Sequence, residues 1–161
     1  MRKQDQIVES QIEGARQTLS RMEKAWGRNH SKLLSPMQNL CDLLFALGRY
    51  DEAEQLGWQM LSISTKTYGH DHPSVANALQ VIGEVCEMQG MLLEAERFYL
   101  WALSIREKYH GDMPAEVKSI LARLVNLYRD TEQQFKQRVI EQRLEKALRS
   151  QRRAHRYIKA V

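Results

Sequence analysis

A period of 42 residues constrains this chain more than any other feature. Leu47-Gly48-Arg49-Tyr50-Asp51-Glu52-Ala53-Glu54 returns as Gln89-Gly90-Met91-Leu92-Leu93-Glu94-Ala95-Glu96, so that Gly48 and Gly90, and likewise Ala53 and Ala95, stand 42 positions apart. Leu61-Ser62-Ile63 returns at the same distance as Leu103-Ser104-Ile105, and Leu19-Ser20-Arg21 lies one period upstream. The intervening segments echo one another too. Trp26-Gly27-Arg28-Asn29-His30 matches Tyr68-Gly69-His70-Asp71-His72-Pro73, which matches Tyr109-His110-Gly111-Asp112-Met113-Pro114 with one residue fewer. A short unit repeated in this way cannot bury its apolar face alone, so successive copies must stack.

Inside each period the apolar spacing is helical. Met37, Leu40, Leu43, Leu44 and Leu47 recur at steps of three and four, and Leu79, Ile82, Val85 and Cys86 occupy matching places one period later. Gly48 and Gly90 then interrupt the helix, as residues that tolerate a left-handed turn do. Asp51 and Glu52 place negative charge at the next helix start. Each unit therefore reads as helix A, a short turn, helix B and a longer loop. The pattern predicts seven helices, at about 5–26, 33–47, 51–67, 74–89, 92–108, 114–129 and from about 132. The third unit departs from the rule: Glu132 stands where the turn glycines stood, and Gln137 replaces the alanine of helix B. The expected organisation is a repeat domain over residues 1–131 and a basic capping or projecting helix over 132–161.

These residues resemble the tetratricopeptide repeat family. Its alternation of small and large residues falls on Leu79, Ile82, Gly83, Cys86, Gly90, Ala95, Tyr99 and Ala102, and one period earlier on Met37, Leu40, Cys41, Leu44, Gly48, Ala53, Gly57 and Met60. The usual period is about 34 residues. The longer period and the stretch Tyr68-Gly69-His70-Asp71-His72-Pro73 are similar to the kinesin-light-chain variety, which is also widespread in bacterial proteins. The resemblance covers roughly residues 10–131. It implies an all-α fold, a right-handed α-α superhelix, whose A helices line a concave groove for a peptide or helix of a partner protein. Carried onto this sequence, the lining positions are Ser35, Gln38, Asn39, Asp42 and Phe45 in the first repeat. In the second they are Asn77, Gln80, Val81, Glu84 and Glu87, and in the third Ser119, Ala122, Arg123, Asn126 and Arg129. Glu84 and Glu87 would favour a basic ligand segment, and Arg123 and Arg129 an acidic one. The Lys/Asn/Arg clamp of chaperone-binding members is not evident in the first two repeats, so that function is not implied.

Charge is uneven along the chain. Residues 134–161 hold nine Lys/Arg against Glu141 and Glu145, a surplus of seven positive charges, while the rest carries a net −3. Arg149, Arg152, Arg153, Arg156 and Lys159 form the densest stretch. A solvated capping helix is the first reading of this tail. A nucleic-acid-associated regulatory role is the alternative, because clustered Arg beside Tyr157 suits phosphate contact and stacking. A second copy of the chain is a further candidate partner.

Other chemistry finds no support in the sequence. It holds no glycine-rich phosphate loop, no HExxH and no nucleophile elbow, so an enzyme is not expected, nor a cofactor. His70-Asp71-His72 reads as loop and capping chemistry, not as a metal site. Cys41 and Cys86 fall at helical core positions outside any CxxC pattern and are expected to be reduced and buried. No stretch approaches a membrane span, and a cytoplasmic setting is expected. Trp26, Trp58, Trp101, Tyr68, Tyr99 and Tyr109 are expected mainly in the core, with Trp58 and Trp101 as partner anchors should they be exposed.

Overall fold

A computed structural model of the chain describes residues 3–109 and 115–159. It is all-helical: α1 (Lys3–Trp26), α2 (Leu34–Ala46), α3 (Tyr50–Tyr68), α4 (Pro73–Met88), α5 (Leu92–Tyr109), α6 (Ala115–Asp130) and α7 (Gln134–Lys159), with one 3-10 turn at Ser31–Leu33. Each helix packs on its neighbours in the chain, and α2 also touches α4. This nearest-neighbour pattern is that of an α-α superhelix.

The A-to-B turns are built alike. After α2, the Gly48 N–H donates to the Phe45 carbonyl and the Arg49 N–H to Leu44; after α4, Gly90 donates to Glu87 and Met91 to Cys86. These paired bonds form a Schellman motif, which satisfies the last carbonyls of the helix and requires a left-handed residue at its hub. Gly48 (φ 69°) and Gly90 (φ 78°) supply it. The turn after α6 repeats the bonds, with Glu132 donating to Arg129 and Gln133 to Tyr128, and Glu132 itself adopts φ 58°. Losing the glycine therefore does not lose the turn. The backbone keeps it at the cost of a strained residue.

Helix starts repeat as well. The Nδ1 atom of His30 accepts from the Lys32 N–H, and that of His72 accepts from Ser74, both at 3.1 Å. Pro73 follows His72 at the first helical position, where its missing N–H costs nothing.

Helix α4 is the middle layer. Nine of its sixteen residues are buried, because it packs on α3 and α5, touches α2, and shares an apolar cluster with α6. Ala78, Val81 and Val85 join a core with Ile12, Leu33, Met37, Leu44 and Ile63. Leu79, Ile82 and Cys86 join a second core with Tyr99, Leu103, Ile120, Leu124 and Ile140. Cys41 and Cys86 are both buried and free. Burial, with the charges of Asp42 and Glu84, pushes the Cys41 thiol up to about 12, so it stays protonated.

Close approach depends on two glycines inside helices. A Cβ on Gly83 would lie 2.8 Å from the Tyr99 ring, and one on Gly57 would lie 3.0 Å from Ile82. Tyr99 is fully buried over Gly83, and its hydroxyl donates to Glu87 at 2.5 Å.

Four of the aromatic residues expected in the core are exposed instead: Trp26, Trp58, Tyr68 and Trp101. The reason is local for two of them. Tyr68 stacks on the capping His72 with centroids 4.2 Å apart, and Trp26 sits 5.8 Å from the capping His30. Each ring covers the cap of the next helix. Trp58 spans from α3 to α5, edge-on to Phe98 at 5.8 Å, with its indole N–H donating to Glu54. Tyr99 alone of the six is seen in the core; the side chain of Tyr109 lies outside the described residues, as do His110 to Pro114.

Candidate functional site

The A helices α2, α4 and α6 present their polar positions on one side of the stack. Between them lie two adjoining clefts. The first, about 330 Å³, is bounded by Ser35, Gln38 and Asn39 of α2, by Asn77 of α4, and by Tyr68 and Met60 of α3. The second, about 300 Å³, is bounded by Gln38 and Asp42 of α2 and by Asn77, Gln80, Val81 and Glu84 of α4, with Arg106 of α5 and Glu116 of α6 closing it. Gln38 and Asn77 line both, so the clefts run on into one another.

Helical spacing explains the convergence. Gln38 and Asp42 are four apart on α2, and the Gln38 amide nitrogen donates to the Asp42 carboxylate at 3.1 Å. Gln80 and Glu84 repeat that pair one period later at 3.0 Å, and Gln80 also reaches Ser119 of α6 at 3.5 Å. Arg123 of α6 bridges Glu84 at 3.1 Å and Glu87 at 3.2 Å. The Glu84 carboxyl is pushed above its usual range, first by burial and further by the charges of Asp42 and Glu87, while Gln80 and Arg123 act the other way.

Seven of the residues named from the sequence, Ser35, Gln38, Asn39, Asp42, Asn77, Gln80 and Glu84, border these clefts, as does the buried Val81. Others do not. Phe45 turns away to pack with Tyr50 at 5.9 Å between ring centroids. Glu87 accepts from the Tyr99 hydroxyl and pairs with Arg123. Asn126 and Arg129 are exposed farther along α6, beyond both clefts.

Sequence reasoning missed Arg106. It lies on a B helix, only 6% exposed, and its guanidinium donates to the Asn77 side-chain oxygen. Its Nε–H is buried without a hydrogen-bond partner, and so is the Gln38 side-chain oxygen. Burial lowers the Arg106 pKa, with the Glu116 charge opposing. A signal was available: Arg106 stands one period after Ser64, and these two are the buried polar residues among those described.

The basic helix is partly accounted for within the molecule. Lys136 pairs with Glu96 at 2.8 Å, Arg143 with Glu107, and Arg149 with Glu145 at 3.1 Å. Ile140 is buried and Leu144 packs on the second core, whereas Phe135 is 82% exposed. The side chains of Arg152, Arg153, Arg156 and Lys159 lie outside the described residues. Among the described residues, no three His, Cys, Asp or Glu side chains converge as metal ligands would, and no helix is long and apolar enough to cross a membrane.

Comparison with known proteins agrees with this architecture. The tetratricopeptide repeat family matches residues 16–108. No curated protein matches the sequence. Among solved structures, a putative kinesin light chain of Podospora anserina with nearly identical TPR-like repeats superimposes with a TM-score of 0.67 at 19% identity, over 88% of this chain and 67% of that one. Its Q17M variant gives 0.71 at 19% identity, over 91% and 69%. BtubC (BKLC) of P. vanneervenii gives 0.65 at 23% identity over 71% of this chain. The present chain spans only 45% of that protein's length.

Proposed function

Because this chain belongs to the tetratricopeptide repeat family, whose repeats mediate protein–protein interaction, we propose that it is an interaction module gripping a peptide or helix of a partner in the groove of α2, α4 and α6. The family and its structural neighbours are typically scaffolds and not enzymes. One observation carries the reading: the two clefts of about 330 and 300 Å³ adjoin along α2 and α4, and side-chain amides line the junction. Amides donate and accept together, which suits the alternating groups of an extended backbone. The occupant follows the A helices from Asn39 towards Asn126. The last helix acts as a cap, since Lys136 and Arg143 are already paired with Glu96 and Glu107 on α5.

A photo-crosslinking amino acid placed at Asn39, at Asn126 and at Ser62 of α3 tests this in host lysate, with and without nuclease. The first two positions are expected to trap one and the same protein, insensitive to nuclease, while Ser62 traps none. Trapping only from Ser62, or capture that disappears with nuclease and with removal of residues 134–161, would overturn the groove reading and favour nucleic acid on the basic tail.

A further inference from the structure

The second cleft contains more chemistry than a generic groove needs. Its walls carry three carboxylates, Asp42, Glu84 and Glu116, against the one guanidinium of Arg106, with Arg123 reaching Glu84 from beyond the cleft. Two polar atoms in it are buried and unpaired: the Gln38 side-chain oxygen and the Arg106 Nε–H. A buried polar atom left without a partner forfeits its hydration with nothing in return, so few persist without a reason.

Their orientation is fixed. The Asp42 carboxylate only accepts, so the Gln38 amide must turn its nitrogen to Asp42 and leave its oxygen unpaired. Arg106 is held from the other side by its bond to Asn77, which leaves the Nε–H unused. Gln80 and Arg123 both engage the same oxygen of Glu84, Oε1. The cleft thus offers a row of acceptors on α2 and α4, and one buried donor behind them.

We infer that this cleft is an arginine-reading subsite of the groove, taking the guanidinium of a partner's arginine between Gln38, Asp42 and Glu84. The inference rests on the groove reading above and adds the chemistry of the partner. A guanidinium is selected over an ammonium because its planar fork of five donors can meet an amide oxygen and two carboxylates at once, whereas an ammonium acts as a point charge. A cation in the cleft also offsets the like charges of Asp42 and Glu84, which Gln38, Gln80 and Arg123 only partly relieve. The subsite takes one residue, consistent with a volume of about 300 Å³.

The test is an NMR titration of the isotope-labelled full chain with three probes: N-acetyl-arginine-N-methylamide, the isosteric but neutral citrulline derivative, and the lysine derivative. The arginine probe is expected to give saturable shifts at the Gln38 side-chain amide and at the Arg106 Nε–H. Citrulline is expected to bind about tenfold more weakly, having lost the charge-assisted bonds. Asp42→Asn, a substitution at an exposed position, should weaken the arginine probe about fivefold without changing the fold. Equal binding of citrulline and arginine, lysine as tight as arginine, or indifference to Asp42→Asn would each overturn the inference. The crosslinking experiment separates the two claims: a partner trapped at Asn39 and Asn126 with no arginine binding leaves the groove standing and sinks the subsite, whereas arginine binding without a trapped partner does the reverse.

Discussion

The first repeat, α2–α3, and the second, α4–α5, share a period, a turn and a capping histidine, yet they fill three matching positions differently. Where the first has Cys41, Gly57 and Ser64, the second has Gly83, Tyr99 and Arg106. In the second repeat a bulky B-helix ring lies over an A-helix glycine, within 2.8 Å of where a Cβ would stand. In the first repeat the B helix is the one with glycine, and a Cβ on Gly57 would stand 3.0 Å from Ile82 of α4. Volume has moved between the helices without altering the backbone plan, as close packing requires. The third position behaves in another way. Ser64 answers its own backbone, donating to the Met60 carbonyl at 2.7 Å, whereas Arg106 reaches across to Asn77 and borders the groove. Gly57 leaves its space to the next repeat's Ile82 and Val81, Tyr99 fills the space over Gly83 within its own repeat, and one buried polar position is left free to border the groove.

The ring over the glycine gives the largest test. Tyr99→Ala should destabilise the chain by about 3–5 kcal/mol, the range for emptying an aromatic site in a core, read by urea denaturation. Gly83→Ala should cost about 1–3 kcal/mol by overpacking against that same ring. Importing the first repeat's pair, Gly83→Cys with Tyr99→Gly, should be less harmful than the sum of the two single changes, because the added sulfur fills part of the vacated space. Strict additivity would show that the two positions do not compensate.

A smaller effect of opposite sign is expected at the turns. Glu132 carries φ 58° in a position where the two preceding repeats use glycine. Glu132→Gly should therefore raise stability by about 1 kcal/mol, while Gly90→Ala should lower it by a similar amount. Thermal melts of both variants check the pair. No gain from Glu132→Gly would mean that something other than backbone strain holds that turn.

The periodicity made the fold readable because helix faces, turn glycines and small-residue positions all recur at one spacing, and each has a direct physical cause. What escaped lies where periodicity stops discriminating. Trp26 and Tyr68 sit at helix ends, where an aromatic at a repeating position can cap as well as pack; both lie over a histidine, not in the core. Phe45 fell on the expected groove face, but its ring finds Tyr50, since a large apolar side chain follows burial over helical phase. Gln38, Asp42, Asn77, Gln80 and Glu84 were legible because an A helix has one side open to solvent. Arg106 was not, since the groove was read from A helices alone and a B-helix residue enters the cleft only by passing through the packing layer. Its charge at a position that buries Ser64 one period earlier was the available clue. Glu132 was legible only as a departure from the turn glycines; that a strained backbone retains the turn's hydrogen bonds was not.

The smallest expected effect compares the two Gln–acid pairs, Gln38–Asp42 and Gln80–Glu84, by pH. Burial raises the folded-state pKa of Glu84 above its ordinary value near 4.5. Between that value and the raised one, the folded chain binds more protons at Glu84 than the unfolded chain does. Stability from this group therefore falls as pH rises through the window and is greatest below it. Glu84→Gln should remove that slope, leaving a variant that differs least from the parent at the acid end and gains on it towards neutrality. The exposed partner pair supplies the control, since Asp42→Asn should leave the slope mostly in place and lower it only by the charge that Asp42 lends to Glu84. Urea midpoints at intervals from pH 4.5 to 7 check this, and a Glu84→Gln variant that keeps the parent's slope would mean that Arg123 dominates the carboxylate and that burial does not set its protonation.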